Sequence, residues 1–480
     1  MSRIMFKRAA LVLSCAMLFA LGATSQQCDE PIVLRRGPQL FLDDYLISRQ
    51  SFLVRTVNNP KKLPHPILVG GLRNDLVWQP YVSVLRDPDS GMYRMWYNTP
   101  VDTSEVSRCH IGYMESNDGV HWNRPPRFLQ DPHEIQFGVK VLDRGKSYSD
   151  RSKRFVLATY LKPGFRVSTS PDGFAWTPIS AEPVFFHNHD ITSLFWDPIR
   201  KQYLATVSHR LGGFGDLTNP NIDDLRRIPH ETVSKDLIHW EPIWPIITPK
   251  IGVPKERGET QFYSMSGIVE RGGLLIGLVK VLRDDLNATA GKTAEEMGDL
   301  DRKAAGIGYT VLAWSREGRT WERDYETFIP NDPTPGTFDH AMAWGDEQIV
   351  VGDETYIYYG GYERGHKVNR FNERHIGLAQ MPRDRYVSRD ADLNLGTLVT
   401  KPVIMIANRL TVNANAKGEC RVRLLSMECK PVEGYGWAEL KGDSVEHEVV
   451  WKKSLSALAG IPVRIEFQLK NAQLFGFYLQ

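Results

Sequence analysis

Asp75, Asp190, Glu259 and Asp339 each stand at, or a few residues ahead of, the start of an apolar, strand-like segment. Carboxyl groups brought together perform acid–base chemistry when burial and neighbouring charge hold one protonated and leave another ionised. Glycoside cleavage needs such a pair, with a protonated carboxyl beside the leaving oxygen and an ionised one on the opposite face of the sugar. Around them lie side chains suited to sugar hydroxyls and rings: Arg73, Trp78, Gln79, His189, His209 and Arg210. His187 and His189 flank Asp190, and His340 follows Asp339; imidazoles in such places can also ligate a cation.

Other chemistries find little support. Gly291-Lys292-Thr293 lacks the upstream glycine of a phosphate-cradling loop. No Cys/His spacing resembles a structural zinc site. The net charge is +2 with Lys and Arg scattered, so no basic block suggests nucleic acid. Twelve Trp and eighteen Tyr, in a chain punctuated by Gly and Pro, fit a strand-rich fold and also sugar stacking. Core packing accounts for most of them, because aromatic rings bury large area in any sheet protein.

The residues that must position these groups form a repeat. Four segments share a polar turn closed by a Trp: Ser116 to Trp122, Ser170 to Trp176, Ser234 to Trp240 and Ser315 to Trp321. Asp118-Gly119 and Asp172-Gly173 supply the left-handed backbone of a tight hairpin, and the Trp three residues on falls on the next strand. A degenerate fifth copy ends at Tyr386. A second hairpin precedes each, turning at Asp87 to Gly91, Tyr148 to Arg154, Asp197-Pro198, Arg271 to Gly273 and Gly352-Asp353. Each unit is therefore expected to be four antiparallel strands, one propeller blade. The longest insertion, Leu282 to Gly306, is expected to include a short helix.

After Asp392 the pattern changes. Ile461 to Lys470 and Cys420 to Ser426 alternate apolar and polar residues, as half-buried strands do. The expected fold is thus all-β: a five-bladed β-propeller over residues 31–392 with a C-terminal β-sandwich over 395–480. The sandwich is expected to cap the propeller, with sugar binding as the alternative.

Arg3, Lys7 and Arg8 precede an apolar run, Ala9 to Ala23, that is too short to span a bilayer, and small residues follow. This order predicts an export signal over residues 1–25, a mature start between Thr24 and Asp29, and a periplasmic or extracellular location. There Cys28, Cys109, Cys420 and Cys429 allow two disulfides. Cys420 and Cys429 are expected at opposite ends of one strand, too far apart to pair with each other.

At these residues the chain resembles the five-bladed glycoside hydrolases of the arabinanase/xylosidase and invertase/levanase type. It is similar to bacterial secreted proteins grouped as glycosyl hydrolase family 32-like. The matching stretches are Leu40 to Ile47, the blade hairpins, Val351 to Glu354 with Tyr358 to Gly361, and Asp443 to Phe477. The resemblance implies three carboxylates at the propeller axis, from the starts of first strands in blades one, three and four. Asp190 then serves blade three, tuning pKa or positioning the sugar, and Glu259 serves blade four as general acid. At blade one the acidic position holds Gln79, which cannot act as base or nucleophile. Asp75, four residues earlier, or Asp339, at the start of blade five, would supply that role. His340 is the candidate ligand for a structural cation at the axis; no cofactor is otherwise required.

Arg86-Asp87-Pro88 matches an invertase-type motif but reads as a turn in an outer hairpin. The strand ahead of Asp43-Asp44 is expected to close blade five. The Ser-x-Asp-Gly-x-x-Trp turns are similar to sialidase Asp boxes, which have one more residue before the Gly. Two functions remain: a glycosidase acting on oligo- or polysaccharide, or a carbohydrate-binding propeller that has lost hydrolysis, as Gln79 suggests. Either way the partner is carbohydrate, with no nucleic acid and no membrane span.

Overall fold

The computed structural model describes residues 30–69, 81–101, 108–188, 192–214, 225–250, 252–256 and 260–480. The segment read as an export signal and Cys28 lie outside them. So do Arg73, Asp75, Trp78, Gln79, His189, Asp190 and Glu259.

Runs of β-branched and aromatic residues make strands, and Asp-, Asn- and Gly-rich turns interrupt them. Among the described residues, these strands build five antiparallel meanders. Meander one joins Val82–Arg86, Tyr93–Pro100, Cys109–Ser116 and Arg127–Phe128. Meander two joins Phe137–Asp143, Phe155–Leu161, Gly164–Ser170 and Thr177–Pro178, with Phe185–Phe186 added beside its third strand. Meander three joins Thr192–Asp197, Gln202–Leu211, Arg226–Ser234 and Trp244–Pro245. Meander four joins Thr260–Arg271, Leu274–Arg283, Ile307–Ser315 and Glu322–Arg323. Meander five joins Met342–Val351, Glu354–Tyr362 and Arg374–Pro382 to the distant Lys61–Lys62.

The first strand of each meander lies beside the first strand of the next, and that of meander five lies beside that of meander one. A closed ring results. Four strands run up, down, up and down, so each meander returns the chain to the end where it began. All five first strands therefore start at one end of the ring. The apolar faces pack between neighbours around the same circle. Trp96 and Ile111 of meander one meet Val141 and Leu157 of meander two, and Ala158 and Val167 meet Leu194 and Ala205. Leu204 meets Phe262 and Met265, Leu278 and Leu312 meet Ile357 and Ala379, and Tyr358 and Leu378 meet Val84 and Met95. Each buried Leu, Val, Ile, Phe or Met side chain among them contributes on the order of 1.5–3 kcal/mol.

The repeated turns lie between third and fourth strands. In the first, Ser116 Oγ accepts the Gly119 N–H at 2.9 Å, and Asp118 Oδ1 accepts those of Val120 and His121 at 2.8 Å each. Each turn docks on the preceding meander: Tyr358 donates to Gly119 O at 3.0 Å, and Trp96 Nε1 donates to Gly173 O at 2.9 Å. Gly173 has φ +85°, and a Cβ there would meet Trp96 and Arg94 at 3.0 Å, so both backbone and space call for glycine. The third copy carries Leu237 instead, at φ +73°. Its side chain is buried against the second and third meanders, which offsets the left-handed cost of about 1–2 kcal/mol.

Glu231, on the third strand of meander three, is buried beneath the fourth Trp of the repeat; Trp321 Nε1 donates to its Oε2 at 2.5 Å. Burial pushes its pKa from 4.5 to about 8, against the opposing pull of Trp321, Arg319 and Arg200. The folded state thus keeps a proton that the unfolded state releases above pH 4.5. This stability is complete below about pH 4.5 and is lost as pH rises through about 8, at about 1.4 kcal/mol per pH unit within that window. Urea unfolding at pH 5, 6.5 and 8 is expected to show a shallower decline for Glu231→Gln than for the wild type. Identical slopes would mean that Glu231 is ionised in the folded state.

Nine of the remaining strands form one sheet around the long strand Leu410–Leu425, while Ile32–Val33 and Val403–Ile404 pair separately in parallel. It pairs with Ala438–Glu448 on one side. On the other, its first half pairs with Ala472–Leu479 and its second half with Arg464–Lys470. Register shifts near Ala414 and between Ala416 and Cys420 bend it. Val412, Ala414, Cys420, Val422 and Leu424 then share one core with Ile465, Phe467, Leu474 and Phe477.

Several expectations change here. Gly37–Leu40, ahead of Asp43-Asp44, pairs with Ala472–Leu479, and the strand that completes meander five is Lys61–Lys62. Ile47–Ser51, Val54–Val57 and Val387–Ala391 also join the C-terminal sheet, so its strands are not confined to 395–480. Gly37–Leu40, Ile47–Ser51 and Val54–Val57 reach that sheet and cover edges that its other strands leave open. The insertion at 284–306 forms turns and no helix. Cys420 lies within the long strand and Cys429 in the turn after it; Cys109, Cys420 and Cys429 are free thiols. Among the described residues no helix is long and apolar enough to cross a membrane.

Candidate functional site

The candidate site is the end of the ring where the five first strands begin. The described chain resumes there at Tyr81, Thr192 and Thr260, directly after the segments that hold Gln79, Asp190 and Glu259. Connections between second and third strands open at this same end, including 284–306 of meander four and 363–373 of meander five.

Asp339 and His340, just ahead of the fifth first strand, differ from expectation. Asp339 is buried and bound to two outer strands. Lys62 Nζ lies 2.6 Å from its Oδ2, and the Tyr359 hydroxyl donates to it at 3.1 Å. Lys62 also donates to Pro330 O at 2.9 Å. The carboxylate therefore fastens the closing strand of meander five, a structural ion pair in place of the axial base or nucleophile expected. His340 is correspondingly not a free metal ligand. Its Nδ1 lies 2.8 Å from Asp332 O, which can only accept, so Nδ1 carries the proton. Its Nε2 then accepts from Thr289 Oγ1 at 2.8 Å, and the ring has no lone pair left for a cation. Among the described residues no group of three or more His, Cys, Asp or Glu is arranged to hold a metal ion.

His209 and Arg210 end the second strand of meander three, opposite Ile228 and Arg227, and so do reach this end. The His209 ring meets that of His230 edge-on at 4.9 Å, and the Arg210 N–H lies 3.3 Å from Asn188 Oδ1. Burial, and less strongly the His209 charge, lowers the His230 pKa against the pull of the Ile228 carbonyl, so His230 is poorly suited to carry a proton. His187 packs against Tyr160 at 4.7 Å and Phe185 at 5.9 Å, an aromatic setting rather than a ligating one.

Two features at this end were not anticipated. The first is a buried aromatic stack. Tyr263, near the start of the fourth first strand, stacks on Trp344 of the fifth at 4.8 Å and 26°. Trp344 Nε1 donates to Val281 O at 2.8 Å, and His366 stands edge-on to both rings at 5.1 and 5.5 Å. Glu363 lies on the same connection as His366; burial and the neighbouring Glu373 raise its pKa.

The second is a pair of buried ion pairs deeper in the ring. A bulge between Gly345 and Glu347 lets Asp346 and Glu347, consecutive in sequence, both turn inward. Lys280 binds Asp346 and Lys140 binds Glu347. Asp346 Oδ2 also accepts the Val82 N–H at 2.6 Å, and Oδ1 accepts from Ser266 Oγ at 3.1 Å. Burial raises the Glu347 pKa, with Lys140 opposing. A signal was available in sequence: Lys140 and Lys280 interrupt otherwise apolar strands, and such charges are buried only when paired.

No family model matches the chain. A Mycobacterium tuberculosis protein described as "Uncharacterized protein Rv1502" is 25% identical over 126 residues, which span 25% of this chain and 40% of that protein. Among solved structures, a glycosyl hydrolase from Bacteroides ovatus is 16% identical, covering 69% of this chain and 95% of its own, with a TM-score of 0.46. An N-acetylgalactosamine deacetylase from F. plautii is 15% identical, covering 70% and 96%, with a TM-score of 0.44. A β-1,2-mannobiose phosphorylase from Listeria innocua is 12% identical, covering 68% and 97%, with a TM-score of 0.44.

Proposed function

We propose that the chain is a five-bladed β-propeller glycosidase of the glycosyl hydrolase family 32-like kind, with a C-terminal β-sandwich. The observation that carries the reading is the closed ring of first strands, all starting at one end. In sequence, Glu259 precedes Thr260 and Asp190 stands two residues before Thr192, the first described residues of two neighbouring first strands, which supports the reading. The buried Tyr263–Trp344 stack braces two neighbouring first strands at that end. In this reading Glu259 is the general acid, Asp190 positions the sugar, and Asp75 supplies the base or nucleophile, since Asp339 is held by Lys62. Incubation of the purified protein with aryl glycosides and plant or algal oligosaccharides, with products resolved by chromatography, tests it. Release of sugar is the expected result.

Gln79 favours a second reading, a propeller that binds carbohydrate without cleaving it. Saturable binding without any product, across the same panel, would establish that reading in place of the first.

The location belongs to the same proposal. The charged, apolar and small-residue order of the first 25 residues supports export. N-terminal sequencing of secreted material is expected to begin between Thr24 and Asp29; a start at Met1 would contradict it.

A further inference from the structure

The sides of the candidate end are built unequally. The connections between second and third strands that stand there span 284–306 in meander four and 363–373 in meander five. These two are fastened together. The His366 N–H donates to Ala305 O at 2.8 Å, Met297, Ala305 and Val368 share a small apolar core, and a Cβ on Gly365 would come within 2.6 Å of Ala305. In meander two the same connection is Lys162-Pro163 alone. The Lys162 N–H donates to Gln136 Oε1 at 2.7 Å, which holds this short turn beside the start of the first strand. The end is thus walled by two joined connections at meanders four and five and is low at meander two.

The low side carries an exposed ring. Phe185–Phe186 pairs with the start of the third strand of meander two, Phe186 opposite Gly164. Phe185 packs on Phe165 at 4.7 Å and on Trp240 at 5.2 Å, and successive strand residues point to opposite faces. Phe186 therefore turns away from that core, and it is 66% exposed. Among the described residues no ring or cation stacks on it. Its backbone is fixed on both sides: the His187 N–H donates to Pro163 O at 3.2 Å, and Asn188 Oδ1 accepts the Arg210 N–H at 3.3 Å. A Cβ on Gly164 would come within 2.3 Å of Phe185 O, so glycine lets the two strands close up. Chain length alone keeps Phe186 within about 21 Å of Thr192, at the start of the first strand of meander three.

We infer that Phe186 is an outlying sugar subsite for an extended glycan, whose chain leaves the end of the ring across meander two with the apolar face of one residue on the Phe186 ring. The inference rests on the carbohydrate reading above and names its substrate class, chains of several residues in place of single sugars. A sugar presents C–H groups on its ring face and hydroxyls at its rim, so a flat aromatic face can take the first while water keeps the second. A ring already held by backbone bonds loses little freedom on binding, and the contact then adds to affinity. The joined connections of meanders four and five obstruct the opposite side and direct a long chain to the low one.

The test is titration calorimetry of the full chain with short and long oligosaccharides, of two and of six residues, prepared from arabinan, levan and xylan. In at least one series the long ligand is expected to bind about 10-fold tighter than the short one. Phe186→Ala and Phe186→Leu are each expected to shrink that ratio about 5–10-fold, the scale of a lost aromatic contact, and Phe186→Tyr, which keeps the ring, to preserve it. Loss in the leucine variant separates stacking on a flat face from general apolar contact. Equal affinity for short and long ligands in the wild type overturns the subsite while the carbohydrate reading stands. A length advantage that survives Phe186→Ala sends the chain over another side and also overturns it. Equal weakening of short and long ligands by Phe186→Ala gives the ring a structural role and overturns it too. Failure of every oligosaccharide to bind, whatever its length, overturns both the subsite and the carbohydrate reading.

Discussion

Glu259→Gln is expected to lower the rate of glycoside cleavage by about 100-fold or more while leaving substrate binding in place, the usual scale for losing a general acid. The substitution keeps the size of the side chain and removes only the transferable proton. A change in affinity alone would therefore point to a binding role, and full activity would remove Glu259 from the mechanism. Gln79→Glu is the companion measurement. If the wild type binds but does not cleave and Gln79→Glu gains turnover, the missing carboxylate was the defect, and the binding-only reading holds for the natural chain. If the wild type cleaves and Gln79→Glu adds little, Asp75 or another group already supplies the base or nucleophile. Asp339 is not expected to fill that role, because its charge is balanced by Lys62 on the strand that completes meander five.

Lys280→Met is expected to cost about 3–5 kcal/mol, because Asp346 would remain buried without its counter-charge. The side chains of both partners are nearly inaccessible, so water cannot replace the lost interaction. The double variant Lys280→Met, Asp346→Asn is expected to recover part of the loss, since Asn can still accept the Val82 N–H. The urea midpoints of the two variants and the wild type measure this directly. A single variant within about 1 kcal/mol of the wild type would show that Asp346 becomes neutral at little cost, contrary to the tight pairing seen. The effect should exceed that of breaking exposed pairs such as Arg319–Glu241, for which about 0–1 kcal/mol is usual.

The local elements were legible in the sequence because their causes are local. Asp118-Gly119 and Asp172-Gly173 dictate a left-handed turn within a few residues, and Tyr93 to Tyr97 dictates a strand by composition and period. The hairpins at Asp87 to Gly91, Asp197-Pro198 and Gly352-Asp353 accordingly lie where they were expected. Repetition of one unit also announced an all-β chain, since every copy must bury its faces against a neighbour.

What only the tertiary structure decided is which distant segments satisfy open edges and buried charges. Meander five lacks a fourth strand in its own stretch of sequence, and Lys61–Lys62 fills it from about 300 residues away, carrying the cation that claims Asp339. Gly37–Leu40 could have closed the same edge by its pattern, yet it pairs with Ala472–Leu479, where Phe41 completes the C-terminal core. The inward turn of both Asp346 and Glu347 depends on one bulge, which period-two alternation does not foresee. Pairing of this kind is set by complementarity between surfaces far apart in sequence, so the alternation of a single strand reports that it has a buried face but not which face it will meet.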